Sequence, residues 1–324
     1  MAKKPEITLL YRIAKSYYID KLSQSQIAEM ENISRSQISR LLERAEKLGL
    51  VTISVSLPED PDMSELAESV AKWLRLKEVV IAPVEDPDNR EAVCEAIAVA
   101  AAQYLPRALK GCRTVGLGWG KTMYQMSLRM SYRNMGDELV YVPLVGLSGT
   151  SNPYLQINTI VDRVAERHRA VSYFIGVPVF RARGYDLPEI EEKRIGKLEQ
   201  YWSTLDAAVI GLGGKPNKEG FFVSEIDEAF SAAITAAGAV GDCLSQFFLG
   251  DGSVFEFKSK YQQIAFDIHR LKNIKNVICL AGGRDKIDGI LVGAKNGFFN
   301  TLVTDSGTAR AFYDIFRQRG AEET

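Results

Sequence analysis

The chain has 324 residues, room for two domains at the usual size of roughly 100–200 residues each. Apolar residues make up 46% and charged residues 25%, and 40 Lys and Arg against 41 Asp and Glu leave a net charge of −1. These proportions exclude a disordered chain, a collagen-like repeat and a disulfide scaffold, and no uninterrupted apolar run is long enough for a transmembrane helix. The start, Met1-Ala2-Lys3-Lys4-Pro5-Glu6, leads into no apolar stretch with a small-residue cleavage site. No signal peptide is therefore expected, and the reading is a cytoplasmic protein with no membrane partner.

The four cysteines, Cys94, Cys112, Cys243 and Cys279, are far apart in sequence and form no CxxC pair. They read as small hydrophobes in a reducing compartment, so neither a metal nor another cofactor is expected. Only two histidines occur, His168 and His269, each in a stretch that reads as a helix face, and the sequence offers neither a partner.

In chain order, Leu9, Leu10, Ile13 and Tyr17 recur at helical spacing and predict a first helix ending near Asp20. A short second helix follows over Leu22–Met30 with Ser23 as its N-cap, then a tight turn at Glu31-Asn32-Ile33. Ser34 caps a third helix, Arg35–Lys47, which buries Ile38, Leu41, Leu42 and Ala45 on one stripe and exposes Arg35, Ser36, Gln37, Ser39 and Arg40. Gly49 ends it, and Val51–Leu57 alternates apolar and polar as a strand does.

Two short helices joined by a tight turn, the second starting with hydrogen-bonding residues, form the helix-turn-helix layout, here winged by the strand. In a major groove, Arg35 or Arg40 can give two bonds to guanine and Gln37 to adenine, while the serines reach phosphates or bases. Residues 1–57 carry nine basic and six acidic side chains, a surplus of +3 inside a chain of net −1. Solvated amphipathic helices would share the periodicity; the helix-turn-helix–Gly–strand order and the local charge favour operator DNA. One such module makes few base contacts, so a dimer or larger homo-oligomer is expected.

Two prolines and three acids in Leu57–Asp62 read as a linker, placed at 58–62 between a DNA-binding domain, 1–57, and a second domain, 63–324. In that second domain, strands are expected at Val79–Ala82, Thr114–Leu117, Leu139–Leu144, Ala170–Tyr173, Ala207–Ile210, Val277–Ala281 and Thr301–Thr304. They alternate with helices at Arg90–Leu105, Lys121–Arg133, Leu155–Arg167, Glu189–Tyr201, Asp285–Lys295 and Gly307–Arg317. The alternation predicts an α/β domain with a mostly parallel sheet covered on both faces, whose ligand site lies at the C-terminal strand ends.

Those strand ends carry the informative residues. Gly116-Leu117-Gly118-Trp119-Gly120-Lys121-Thr122 opens a helix, a layout that brings backbone amides to an anion. A nucleotide P-loop would need glycine at position 115, which is Val115. Further loops are Val145–Ser151, Gly211–Gly214, Gly282–Lys286 and Asp305–Ala309, with Gln156 and Asn158 in the helix after the first of these. Glycine-rich, hydroxyl-bearing loops at one edge of one sheet suit a polar, anionic small molecule.

At this point the chain resembles the SorC/DeoR family of bacterial sugar-responsive transcriptional regulators, from Tyr11 to about Phe316. The residues that carry the resemblance begin with Ile13-Ala14, Tyr17-Tyr18, Leu22–Ala28 and Ile33–Leu42. They continue with Gly118–Thr122, Asp206–Gly213, Ala239–Asp242, Ala281-Gly282-Gly283 with Lys286, and Leu302–Asp305 with Ala309. The resemblance implies an effector domain similar to glucosamine-6-phosphate deaminase and ribose-5-phosphate isomerase, without their activity. It implies a phosphorylated sugar or polyol as effector and homo-oligomers that are commonly tetramers. Carried over by position, Gly118, Trp119, Gly120, Lys121 and Thr122 would hold the phosphate. Asp242 and Lys286 would contact the ligand, and Gly146, Ser148, Gly149 and Asn158 would line the same pocket. Many members have a second glycine where this chain has Leu147, which bears on the choice of sugar. The competing reading is a sugar-phosphate isomerase or deaminase with Asp242 or Asp305 as general base; the DNA module and the scarcity of histidine weigh against it.

Overall fold

The computed structural model describes residues 4–51, 61–149, 151–184, 186–216, 228–256 and 261–322. The chain divides into two compact units, Met1–Ser56 and Leu57–Thr324.

The first unit contains helices α1 (Lys4–Tyr18), α2 (Gln24–Glu31) and α3 (Arg35–Lys47). Their shared core is small: Leu10, Ile13, Ala14, Ile27, Ala28, Ile38, Leu42 and Ala45. Leu41, expected in the buried stripe, is only half-buried. Ser23 and Ser34 cap α2 and α3, and each makes a reciprocal capping box with the glutamine three residues on, Gln26 and Gln37. Asn32, at φ +54°, closes α2 in the left-handed conformation that asparagine tolerates, which reverses the chain within three residues. Arg12 donates to both carboxylate oxygens of Glu31 at 2.6 and 2.5 Å, tying α1 to α2. The expected wing strand, beyond Val51, lies outside the described residues.

The second unit begins with α4 (Pro61–Leu74), so residues 61 and 62 belong to a helix rather than to the linker read from sequence; 58–60 lie outside the described residues. A proline at the first helical position is compatible because that N–H has no intrahelical acceptor in any helix. The main strands are β1 (Glu78–Ala82), β2 (Thr114–Leu117), β3 (Val140–Pro143) and β4 (Val171–Ser172). After β5 (Phe180–Ala182) comes β6 (Ala207–Gly211), and after β7 (Gly241–Cys243), β8 (Gln246–Phe248) and β9 (Tyr261–Gln263) come β10 (Asn276–Leu280) and β11 (Thr301–Asp305).

Seven of these form one sheet in the order β1-β11-β10-β6-β2-β3-β4, with every pairing parallel. Every residue of β2 and β11 is buried, the pattern of strands covered on both faces. The helices that follow β1 are α5 (Arg90–Ala108), α6 (Lys121–Arg129), α7 (Ile157–His168), α8 (Glu189–Ser203), α9 (Glu228–Ala236), α10 (Ile287–Lys295) and, after β11, α11 (Ser306–Glu322). The helix expected over Lys121–Arg133 stops at Arg129, because Met130 turns to extended backbone. The one expected from Leu155 starts at Ile157, preceded by a 3₁₀ turn over Pro153–Leu155. Two antiparallel ladders, β5 with β9 and β7 with β8, lie outside the main sheet.

Candidate functional site

On α3 the exposed residues are those expected: Ser34, Arg35, Ser36, Gln37, Ser39 and Arg40 all face solvent, opposite buried Ile38, Leu42 and Ala45. Three of them are already engaged. The Gln37 carbonyl oxygen accepts from the Ser34 amide at 2.9 Å and from its hydroxyl at 3.0 Å, and Ser34 Oγ and Ser36 Oγ are 2.9 Å apart. A two-bond contact from Gln37 to adenine needs that oxygen, so it would have to break the capping box. Arg35, Ser39 and Arg40 carry no such commitment.

In the second unit, strand order places the ends of β2, β6, β10 and β11 along one edge of the sheet. After β2, the Gly118 amide donates to Val209 O at 2.8 Å and the Gly120 amide to Tyr154 O at 2.9 Å. Neither is the anion donor that the glycine spacing suggests. Gly120, at φ +125°, starts α6 without a side-chain cap, and the first-turn amides that follow have no intrahelical acceptor. Gly116 is a packing glycine: a Cβ there would come within 2.4 Å of Leu144 Cδ2.

Trp119 is buried. Lys121 Nζ lies 2.7 Å from Glu91 Oε1 and 5.9 Å from the centre of the Tyr154 ring, and its bond to Glu91 holds that carboxyl below the usual range. Thr122 Oγ1 meets Cys94 Sγ at 3.5 Å.

The loop after β3 is less a ligand cradle than its composition suggests. A Cβ on Gly146 would stand 2.6 Å from Val179 N, so that glycine permits two backbone segments to touch. Leu147 donates to Val177 O and accepts from Val179 N, both at 2.8 Å, which fixes the segment in place. Ser148 is half-buried and Gly149 exposed; Thr150 lies outside the described residues. Asn158 spends its amide on the backbone of Ile175, donating at 2.8 Å and accepting at 3.1 Å. Its observed work is to brace α7 against the chain beyond β4, not to line the loop.

Asp242 and Lys286 do come together. Asp242, on β7, lies against the loop after β6: the Gly213 amide donates to Asp242 O at 2.8 Å, and the carboxylate fills the space beside Gly213. Burial pushes the Asp242 carboxyl up to about 6, and the charge of Lys286 opposes that shift. Lys286 ends the 3₁₀ turn Arg284–Lys286 that follows Gly282 and Gly283.

Asp305, the other candidate base, is a structural clamp. It accepts from the Gly283 amide at 3.2 Å, the Thr308 amide at 2.9 Å and the Thr308 hydroxyl at 2.6 Å, all while fully buried. The histidines serve structure too. His168 is buried with Nδ1 2.5 Å from Tyr141 Oη, a partner the sequence did not reveal, and burial pushes its pKa down to about 4. His269 packs its ring on Phe298 at 5.7 Å. Among the described residues no group of His, Cys, Asp and Glu is placed to hold a metal ion, and all four cysteines are free thiols.

Sequence reasoning missed two features. One is the β7–β8 turn, Leu244-Ser245, where two buried non-glycine residues take φ +51° and +63° and Leu244 reaches the space beside Gly118. No glycine or asparagine marks it, so no turn signal was present to find. The other is a cleft of about 390 Å³ bounded by Arg90, Lys215, Pro216, Arg284, Asp285, Ile287 and Asp288. Its charges come from the start of α5, the loop after β6 and the turn that leads into α10, and become neighbours only through strand order. Ion pairs cross it and its rim: Arg90 to Asp285 at 3.3 Å, Lys215 to Asp288 at 2.7 Å and Arg284 to Asp88 at 3.4 Å.

Comparison with known proteins gives a consistent result. Residues 61–312 match the sugar-binding domain family. The chain is 27% identical over 320 residues to the sorbitol operon regulator of Klebsiella pneumoniae, an alignment covering 95% of this chain and 98% of that one. It is 28% identical over 304 residues to the deoxyribonucleoside regulator of Bacillus subtilis (strain 168), covering 92% and 95% respectively. Among solved structures, the full-length sorbitol operon regulator SorC from Klebsiella pneumoniae matches with a TM-score of 0.67 at 25% identity, over 95% of this chain and 99% of that chain. A transcriptional regulator from Streptococcus pneumoniae TIGR4 shares the fold, with a TM-score of 0.68 at 23% identity over 79% of this chain and 98% of the other.

Proposed function

Because the chain belongs to the sugar-binding domain family and its relatives over nearly the whole length are transcriptional regulators, we propose that it regulates a carbohydrate operon by binding operator DNA. The observation that carries this reading is the pairing, in one chain, of an exposed Arg35–Arg40 helix start with a sugar-binding domain. The start of α3 enters the major groove, where Arg35 and Arg40 read base edges and Ser34, Ser36 and Ser39 reach phosphates. The effector is a phosphorylated sugar or polyol at the strand ends. The first-turn amides of α6, with Lys121 and Thr122, take its phosphate; Asp242 accepts from sugar hydroxyls and Lys286 donates to them. Trp119, Gly118 and Gly120 shape that loop, Gly146, Ser148 and Gly149 form the neighbouring one, and Asn158 supports the pocket wall from α7 through its bonds to Ile175. The protein works in the cytoplasm as a homo-oligomer, a tetramer by its resemblance, so that two or more α3 helices meet repeated half-sites.

The enzyme reading has no support, since the relatives are regulators and Asp305 is fully committed to Gly283 and Thr308. The test is fluorescence anisotropy with a labelled duplex from upstream of the protein's own operon, with and without a panel of sugar phosphates. Salt-sensitive, sequence-specific binding that one member of the panel shifts supports the proposal. Binding to no fragment under any condition overturns it.

A further inference from the structure

The two polar side chains of the Gly118–Thr122 loop are already held by one helix. Lys121 Nζ donates to Glu91 Oε1 at 2.7 Å, and Thr122 Oγ1 meets Cys94 Sγ at 3.5 Å. Glu91 and Cys94 stand about one turn apart at the start of α5, where Asn89 caps the helix by accepting from the Glu91 and Ala92 amides. The seam continues one step further, where Arg129 of α6 donates to Glu95 of α5 at 2.6 Å.

The members of the Lys121–Glu91 pair differ in freedom. The Lys121 side chain is 32% exposed and its ammonium stands 5.9 Å from the centre of the Tyr154 ring, whereas the Glu91 side chain is 83% exposed. The lysine is therefore the fixed member and the glutamate the one free to swing away. An acid in the first turn of a helix is favoured by the helix dipole, so α5 keeps Glu91 near its lysine. Its carboxylate has the chemistry of the ligand proposed for that ammonium: an anion with oxygen acceptors. Because it belongs to the same chain, its local concentration does not fall on dilution. A phosphate arriving at Lys121 either displaces Glu91 or shares one cation with it, and two anions on one cation repel. Glu91 opposes the ligand in both cases. A free sugar brings no anion to Lys121 and meets no such opposition.

We infer that Glu91 is a built-in competitor for the effector's phosphate: it occupies Lys121 in the unliganded chain and raises the effector concentration needed to fill the site. The inference rests on the proposed phosphate role of the Gly118–Thr122 loop. Apparent affinity falls by the fraction of molecules in which the lysine is open, and an exposed ion pair makes that a factor of about two to five. Were Glu91 instead to aim Lys121 at the ligand, its removal would change affinity in the opposite direction.

The experiment is isothermal titration of the full chain with glucose 6-phosphate, fructose 6-phosphate, ribose 5-phosphate and glucitol 6-phosphate, each beside its unphosphorylated counterpart. Four proteins are compared: the native chain, Glu91→Gln, Lys121→Gln and the double variant. Glu91→Gln keeps the length and shape of an exposed side chain, and is expected to tighten whichever phosphorylated probe binds by about two- to fivefold. The gain should fade as salt rises, and any unphosphorylated probe that binds should change by less than about 1.5-fold. The double variant should bind no better than Lys121→Gln alone, since the contested cation is gone. Weaker binding by Glu91→Gln overturns the inference and makes Glu91 a positioning residue for Lys121. Unchanged affinity overturns it too. So does equal tightening with and without Lys121, because the carboxylate would then act on the whole surface field rather than on one ammonium. Each of these outcomes leaves the sugar-phosphate reading standing, because binding is still seen. If no phosphorylated probe binds the native chain or Glu91→Gln, that reading falls and this inference falls with it.

Discussion

Oδ1 of Asp242 stands 1.8 Å from where a side chain on Gly213 would begin, so each residue dictates the other. A methyl at 213 must expel the carboxylate from its seat beside the loop after β6. Gly213→Ala is expected to destabilise the protein by about 1–3 kcal/mol, the usual cost of forcing an extra methyl into a packed site. Asp242→Ala clears the space, so the double variant should lose less than the sum of the two single ones. Chemical denaturation of all four proteins reads the coupling, and strict additivity would show that the carboxylate simply moves aside.

The same burial makes the site sensitive to pH. Asp242 titrates at about 6 in the folded chain, above its ordinary value of 3.8. A raised carboxyl favours the protonated folded form, so its contribution to stability is present at low pH and lost as pH rises through about 6. Asp242→Asn should therefore stabilise the unliganded protein above pH 6, by no more than about 3 kcal/mol, and leave it unchanged near pH 4. Effector binding runs the other way, since hydroxyls bond more strongly to an ionised acceptor: affinity should fall below pH 6 in the native chain. Lys286→Ala removes an opposing charge and should move that midpoint upward. A melting series against pH and titrations at pH 5 and 7.5 check both signs.

On α3, the capping box separates roles that composition alone had merged. Arg35→Ala and Arg40→Ala are expected to cost about 1–3 kcal/mol of operator binding each and to relax specificity at one position per half-site. Ser34→Ala should instead lower stability by about 1 kcal/mol, the usual value of a helix N-cap. Gln37→Ala belongs with Ser34 because its oxygen accepts from the Ser34 amide. Anisotropy against single-base operator variants, beside melting curves, distinguishes the two classes; lost discrimination at one base with Gln37→Ala would return that residue to the reading face.

Much of the sheet was legible because its strands are buried on both faces and spell themselves as short β-branched runs between glycines. Val277–Ala281 was expected and Asn276–Leu280 is found; Thr301–Thr304 was expected and Thr301–Asp305 is found. The site was legible only as a place. Gly116 and Gly146 have the composition of a ligand loop, yet each is required by a neighbour, Leu144 and Val179, that sequence spacing does not bring near. Conversely Arg90 and Lys215 lie in stretches with no motif, and only the β1-β11-β10-β6 order brings them beside Arg284 of the Gly282–Lys286 loop. Pro61 looked like linker because proline usually stops helices, while at the first helical position it starts one.

His168 predicts a second pH effect, opposite in direction. Burial holds it neutral, with its pKa down at about 4 from an ordinary 6.5. The unfolded chain takes up a proton at 6.5 that the folded chain refuses until about 4, so stability declines as pH falls across that window, by up to about 3 kcal/mol. His168→Gln keeps a polar atom near the Tyr141 hydroxyl and removes the titration. Its stability should be lower than native at pH 7.5 and decline less steeply between pH 6.5 and 4. Parallel slopes for the two proteins would assign the acid sensitivity to other groups.

The turn at Leu244-Ser245 carries the last prediction. Both residues take positive φ, a conformation that costs a non-glycine residue about 1 kcal/mol or more, and no glycine relieves it. Ser245 adds a buried hydroxyl with no hydrogen-bond partner among the described residues. Its neighbour Leu244 is buried and fills the space beside Gly118, so that side chain contributes packing. Ser245→Gly removes the strain and the unpaired hydroxyl together, at the cost of extra freedom in the unfolded chain. A net gain of about 0.5–1 kcal/mol is expected, visible as a melting temperature a few degrees higher. Leu244→Gly removes strain as well but empties a core position, and should lose about 2–4 kcal/mol. The strain has a function if it holds Asp242, two residues before Leu244, in its seat against Gly213. In that case Ser245→Gly binds effector several-fold more weakly while melting higher, a split that loss of packing alone does not produce. A variant that melts no higher than the native chain would show that the surrounding core selects the turn without cost.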